Sequence, residues 1–224
     1  MRIRIVGVDI GSVKRPSKFA WAALDAPGPE VVASGDDPEL AVAALVAGLD
    51  DGRQAALLLE APTSVPVPDT GPGWRFLGKA RAGEGNRPWS AGAGAGALAT
   101  GLAQGAWLLG HLAASRPGTT ATSQADVWRR GGARLLLAEA FVSGSGKPVA
   151  LRADQHAADA AAVGREMVAR LGGGDELASD VRCAPQGSFN LLAAMAQWAG
   201  LDLDADELRK DVLVIRVHPV LRTT

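Results

Sequence analysis

The chain of 224 residues carries 23 Lys and Arg against 24 Asp and Glu, a formal net charge of -1, with 47% hydrophobic and 21% charged residues. That is enough apolar material for one full core, and the balance of charge excludes a global basic field of the kind that holds nucleic acid nonspecifically. One cysteine, Cys183, excludes an intramolecular disulfide and a cysteine-cluster metal site; a small packed hydrophobe in a reducing cytosol is its expected role. The N-terminal MRIRIVGVDI lacks a cleavable apolar region and no uncharged apolar run reaches the ~20 residues of a membrane span, so a soluble cytoplasmic protein is expected.

In chain order, Ile3 to Ile10 is short, β-branched and bounded by Gly11 and Ser12, which predicts a strand. Phe19 to Leu24, ended by Pro27-Gly28, and EVVASG at 30–35 complete a three-strand antiparallel meander. Residues 36–50 read as a helix, with Asp36 or Asp37 as N-cap and Pro38 in the first turn. RQAALLLEAP, 53–62, is a buried strand stopped by Pro62, and strand, helix, strand implies that it runs parallel to an earlier strand. Five prolines and many glycines make 61–96 a loop. A helix over 97–115, a strand within 131–144 and a helix in DQHAADAAAVGREMVARLGGG follow, the last with Asp154 near its start. From about residue 176 an appendage holds a helix that Ser188 can cap and a final strand-like run, DVLVIRVHPV.

Carboxylates sit at the margins of this apolar framework: Asp9 ends the first strand, Glu60 the fourth, Glu139 lies on the fifth, and Asp154 and Asp159 on the helix after it. Buried carboxylates without partners are costly, so such a set calls for a shared counter-charge. If the first and fourth strands are parallel neighbours, Asp9 and Glu60 meet at one sheet edge. Oxygen ligands of this kind suit a hard divalent cation, Mg2+ first. His156 and Asp159 are three apart and share a helix face. Asp154 is either a cap or a ligand, and Glu139 either a ligand or the partner of a basic neighbour such as Arg134.

The element order, Asp9 on GVDIGSVKRPSKFAWAALD, Glu60 on LLLEAPTSVP, and HAADAAAVG on the last core helix together resemble the ribonuclease H-like superfamily. HAADAAAVG is similar to the helix motif of RuvC-type Holliday-junction resolvases, and Glu139 with the LLLEAPTSVP strand end resembles a predicted-nuclease branch of the superfamily. The resemblance implies an α/β fold: a mixed five-stranded sheet, three antiparallel strands then parallel ones, flanked by helices. The resemblance covers roughly residues 3 to 171, so the expected division is a ribonuclease H-like domain at 1–175 and a helix-strand appendage at 176–224 packed on the same domain. It also implies a nuclease or phosphodiester hydrolase using two Mg2+ or Mn2+ ions about 3.5 to 4 Å apart. Asp9 would bridge the ions, with Glu60, Asp159 and Glu139 as further ligands, and His156 would bind metal or position the attacking water.

Basic and aromatic residues interleave in the long loop: Arg75, Lys79, Arg81 and Arg87 with Trp74, Phe76 and Trp89. Such a mixture suits phosphates and bases, or else packs as cation–π pairs. Lys14, just past the first turn, with Ser12 and Lys18, faces a phosphate or water. With the resemblance, nucleic acid, DNA or RNA, is the expected substrate, a small nucleotide or other phosphoester staying open, and six tryptophans with the LLAAMAQWAG helix fit a homodimer. Two other readings stand beside this one: a catalytically silent ribonuclease H-like binding protein, and an ATP-dependent phosphotransferase, since DIGSVK also resembles the first phosphate loop of the actin and sugar-kinase superfamily.

Overall fold

The structure, a computed structural model, describes residues 2–10, 18–68, 77–85, 88–151, 154–173, 177–183 and 187–218. Three strands, β1 (Ile3–Asp9), β4 (Gln54–Glu60) and β7 (Leu135–Phe141), are almost wholly buried. Strands apolar on both faces belong in the middle of a sheet covered by helices on both sides. They run parallel to one another in the order β1-β4-β7, while β2 (Ala20–Ala26) and β3 (Val31–Gly35) continue from β1 as an antiparallel meander. The chain is thus α/β with a mixed sheet, as its alternation of apolar runs predicts.

The sheet is larger than the five strands expected. The short β6 (Ala121–Thr122) pairs parallel with the first half of β7, and β9 (Val214–Arg216) pairs parallel with its second half, giving seven strands. Two residues of strand leave no periodicity to read, and the final run carries no local sign of its partner. A separate ribbon joins β5 (Ser64–Pro66), inside the segment expected to be loop, to β8 (Ser188–Asn190).

Helices cover both faces. α1 (Pro38–Asp50) starts at Asp37, whose carboxylate accepts from Glu39 N at 2.8 Å, and buries Ala41, Val42, Leu45 and Leu49 against Val6, Val8 and Leu57. α2 (Gly92–Ser115) begins five residues before the expected Ala97, so the GAGAGA run is helical. Gly101 serves contact: a Cβ there would lie 2.4 Å from the Ala61 Cβ, so the helix lies directly on the end of β4. α5 (Leu191–Trp198) shares this face and is capped by Asn190, whose side chain accepts from Ala193 N at 2.9 Å, rather than by Ser188, which belongs to β8. A five-residue helix, α3 (Ala125–Arg129), precedes β7.

The opposite face belongs to α4 (Gln155–Gly172), which packs Ala160, Val163, Met167 and Val168 against Ile5, Leu24, Ala56 and Leu58. Its approach is close because the sequence is small where the two meet. A Cβ on Gly7 would fall 2.4 Å from the carbonyl oxygen of Ala160, and one on Gly164 would fall 2.3 Å from Leu24 Cδ1. Among the described residues, no helix is long and apolar enough to cross a membrane.

Candidate metal centre

Asp9 and Glu60 are the last residues of β1 and β4 and stand opposite each other in the parallel register. Laterally paired residues point to the same side of a sheet, here the side of Ile5 and Leu58 that α4 covers. Asp159 enters from α4, one residue before the Ala160 that touches Gly7. The three carboxylates each bring an oxygen within 4.8 Å of the others, and they form a group able to hold a metal ion. Asp9 is 6% exposed and Asp159 1%, while Glu60 is half-buried. A donor set made only of carboxylate oxygen fits a hard divalent cation.

Three further side chains hold this cluster in shape. His156 Nδ1 and Asp9 Oδ2 are hydrogen-bonded at 2.6 Å, so the i, i+3 face of α4 delivers both His156 and Asp159. Gln155, one turn before Asp159, donates from Nε2 to Asp159 Oδ1 at 2.7 Å and to the Pro148 carbonyl at 3.1 Å. Lys147, in the segment after β7, places Nζ 2.9 Å from Asp159 Oδ2. Neither Gln155 nor Lys147 is marked by the sequence, although a lone lysine beyond a Gly-Ser-Gly turn at the end of a central strand is a usable signal.

The electrostatics follow from burial. Desolvation pushes the Asp9 carboxyl up to about 6 from its usual 3.8; His156 and Lys147 oppose the rise and Asp159 adds to it. Burial works against the Lys147 ammonium, but its bond to Asp159 and the charges of Asp159, Glu60 and Asp9 hold its pKa above the ordinary lysine value.

Glu139, expected among the ligands, is held elsewhere. It pairs with Leu59 rather than Glu60, and one residue of offset along a strand reverses the face, so its side chain points to the α2 side with Leu57 and Leu59. There Arg81, fully buried, binds it bidentately, Nη1 to Oε2 and Nη2 to Oε1, both at 2.7 Å, and Thr63 N donates to Oε2 at 2.7 Å. Glu84 Oε1 also bonds Arg81, and the surrounding carboxylates raise the guanidinium pKa against the cost of its burial. Arg81 is therefore core architecture and not part of a solvent-facing basic patch. Arg134, the other partner considered for Glu139, donates to the carbonyls of Leu49 and Arg53.

Asp154 occupies the N-cap position of α4 without a side-chain cap bond. Of the residues expected to bind substrate, Lys79 is exposed, its carbonyl accepting from Trp89 Nε1 at 2.8 Å. Lys14, Arg75 and Arg87, with Ser12, Trp74 and Phe76, lie outside the described residues. His111 is exposed and stacks on Trp107, and His218 Nε2 lies 3.8 Å from Asp180. Cys183 is buried, and desolvation pushes its thiol up to about 11. Compared with known proteins, the chain matches no family model, no curated protein and no solved structure.

Proposed function

We propose that the protein is a divalent-metal-dependent phosphodiester hydrolase of the ribonuclease H-like kind, acting on nucleic acid with Mg2+ or Mn2+. The observation that carries this reading is the convergence of Asp9, Glu60 and Asp159 from three separate elements at the carboxyl edge of two central parallel strands. Support also comes from the mixed sheet, antiparallel over β3-β2-β1 and parallel over β1-β4-β7, since three antiparallel strands followed by parallel ones are what the sequence resemblance implies. Ligand sites in open α/β sheets lie at this edge.

Asp9, Glu60 and Asp159 would hold the cation. Bound there, a divalent ion supplies Lewis-acid stabilisation of charge on a phosphoryl oxygen. With Asp9 ionised, His156 donates from Nδ1 to its carboxylate, and Nε2 carries the lone pair that can take a proton from an attacking water. Asp9 then has two tasks, ligation and the orientation of His156. Gln155 and the closeness of α4 to β1 fix the third carboxylate. A recess of about 130 Å³ lies at the end of β4 and β7, bordered by Glu60, Glu139, Pro62, Ser143 and the small residues Ala93, Gly94 and Ala97 of α2.

Incubation of the protein with single-stranded and duplex DNA, RNA and branched junctions, with Mg2+ or Mn2+, tests this. Cleavage that disappears in Asp9→Asn and Asp159→Asn is expected. Undiminished cleavage in both variants would overturn the assignment, and metal binding without cleavage of any substrate would favour a silent binding protein.

A further inference from the structure

Lys147 is not among the residues that the resemblance assigns to the chemistry, yet it is the side chain whose ammonium enters the carboxylate cluster. Its approach is built by the backbone. After β7 the chain makes a 3-10 turn at Gly144–Gly146, and Gly146 lies so close to the carbonyl of Val217 that a Cβ would fall 1.9 Å from its oxygen. On the other side Pro148 offers its carbonyl to Gln155 Nε2, the same amide that donates to Asp159. Lys147 is thus pinned between β9's end and the first turn of α4, with Nζ 2.9 Å from Asp159 Oδ2. The side chains differ in burial, Lys147 being 42% exposed and Asp159 1%. The carboxylate cannot leave the site, but the ammonium has an open way to solvent.

We infer that Lys147 is the resident cation of the cluster: it neutralises Asp159 in the metal-free protein and gives up that place when a divalent ion enters. This rests on the reading of Asp9, Glu60 and Asp159 as a metal site and adds to it a built-in competitor that sets the affinity. A compact ammonium with three donors can satisfy a carboxylate oxygen as a point charge, and its long stem lets it swing away without moving the backbone. Two like-charged occupants drawn to Asp159 repel each other, so lysine binding and metal binding oppose each other. The exchange keeps a buried carboxylate from standing uncompensated before metal arrives.

Mn2+ titration of the wild type, Lys147→Met, Lys147→Gln and Lys147→Arg, read by electron paramagnetic resonance and by thermal denaturation with and without Mn2+, decides the matter. The two neutral variants should bind Mn2+ on the order of tenfold more tightly than the wild type. They should also melt lower than the wild type in chelator and gain more from Mn2+, while Lys147→Arg stays near the wild type in affinity. Binding by the neutral variants alone would support the inference in its strongest form. If the wild type binds Mn2+ and the neutral variants bind equally or more weakly, Lys147 is an ordinary ion pair and this inference alone falls. If no form binds Mn2+, both the inference and the metal-site reading fall.

Discussion

Gly7 of β1 lies against the backbone of Ala160 on α4 with no room for a side chain, a Cβ there falling 2.4 Å from the Ala160 carbonyl oxygen. The contact sits two residues before Asp9 and one residue after Asp159, so it sets how far apart the two carboxylates stand. Backbone cannot rotate away as a side chain can, and Gly7→Ala must push α4 off the sheet. A loss of about 1 to 3 kcal/mol is expected, together with weaker Mn2+ binding. Gly164→Ala is the control: its clash is with the side chain of Leu24, which can turn. Thermal denaturation and Mn2+ titration of the two variants check this; equal Mn2+ affinity in wild type and Gly7→Ala would show that α4 need not lie so close.

Asp9 gives the metal-free protein a pH dependence of definite sign. Its folded-state pKa of about 6 lies above the ordinary 3.8, so its contribution to stability is fully present below about 3.8 and is lost as pH rises through about 6. The cost at neutral pH is on the order of 3 kcal/mol. Asp9→Asn removes that cost, so in chelator the melting temperature of the variant minus that of the wild type should grow from pH 4 to pH 7 and then level. A difference that is flat or shrinks with pH would contradict the assignment of the strain to Asp9. The same variant should lose Mn2+ binding, a case of a site kept at the expense of stability.

Glu139 and Arg81 form a fully buried ion pair with Glu84 as the second carboxylate on the guanidinium, and Glu139→Gln gives up the two charge-assisted bonds from Arg81 in the core while the Arg81–Glu84 pair remains. Glu139→Gln should therefore cost about 3 kcal/mol or more. For a chain of this size that is roughly 6 to 12 °C in melting temperature. Because Glu139 faces away from Glu60, Mn2+ affinity of the folded variant should stay at the wild-type value. Binding lost at a temperature where the variant is folded would restore Glu139 as a ligand.

Glu207 fastens the C-terminal part of the chain to the sheet. Its buried carboxylate accepts from Thr122 Oγ1 at 2.5 Å and from both Ser123 N and Ser123 Oγ at 2.6 Å, beside β6. Glu207→Ala should remove these charge-assisted bonds and leave buried donors unsatisfied, at about 2 to 3 kcal/mol. Amide hydrogen exchange should then show lost protection around 119–124 and in α5. Protection lost at β1 and β2 to the same degree would mean that the clamp supports the whole fold and not its edge.

Much of this architecture is legible in local pattern. Asp37-Pro38 ahead of an apolar helical face gives the start of α1, and the β-branched run ending at Asp9 gives β1. The strand-helix-strand order gives the parallel pairing that brings Asp9 and Glu60 together. The three-residue spacing of His156 and Asp159 gives one helix face aimed at them. These follow from short-range rules: capping, the period of a strand or helix, and the limited ways in which a crossover can close.

The fate of Glu139 is different. β7 is buried on both faces, so polar and apolar residues do not alternate along it and its face cannot be read from composition. The one-residue offset that pairs Glu139 with Leu59 is set by packing across the whole sheet. Arg81 likewise looks like a solvent-facing loop cation until its partner is found 58 residues away.

The sequence by itself determined the alternation of elements and the gathering of carboxylates at the margins of the apolar runs, because hydrophobic period and chain direction are local properties. Only the tertiary structure decided which of the five candidate carboxylates come together, that β6 and β9 extend the sheet, and that Lys147 reaches Asp159. Those outcomes depend on strand register and on contacts between segments far apart in the chain, which are fixed when the layers pack and not before.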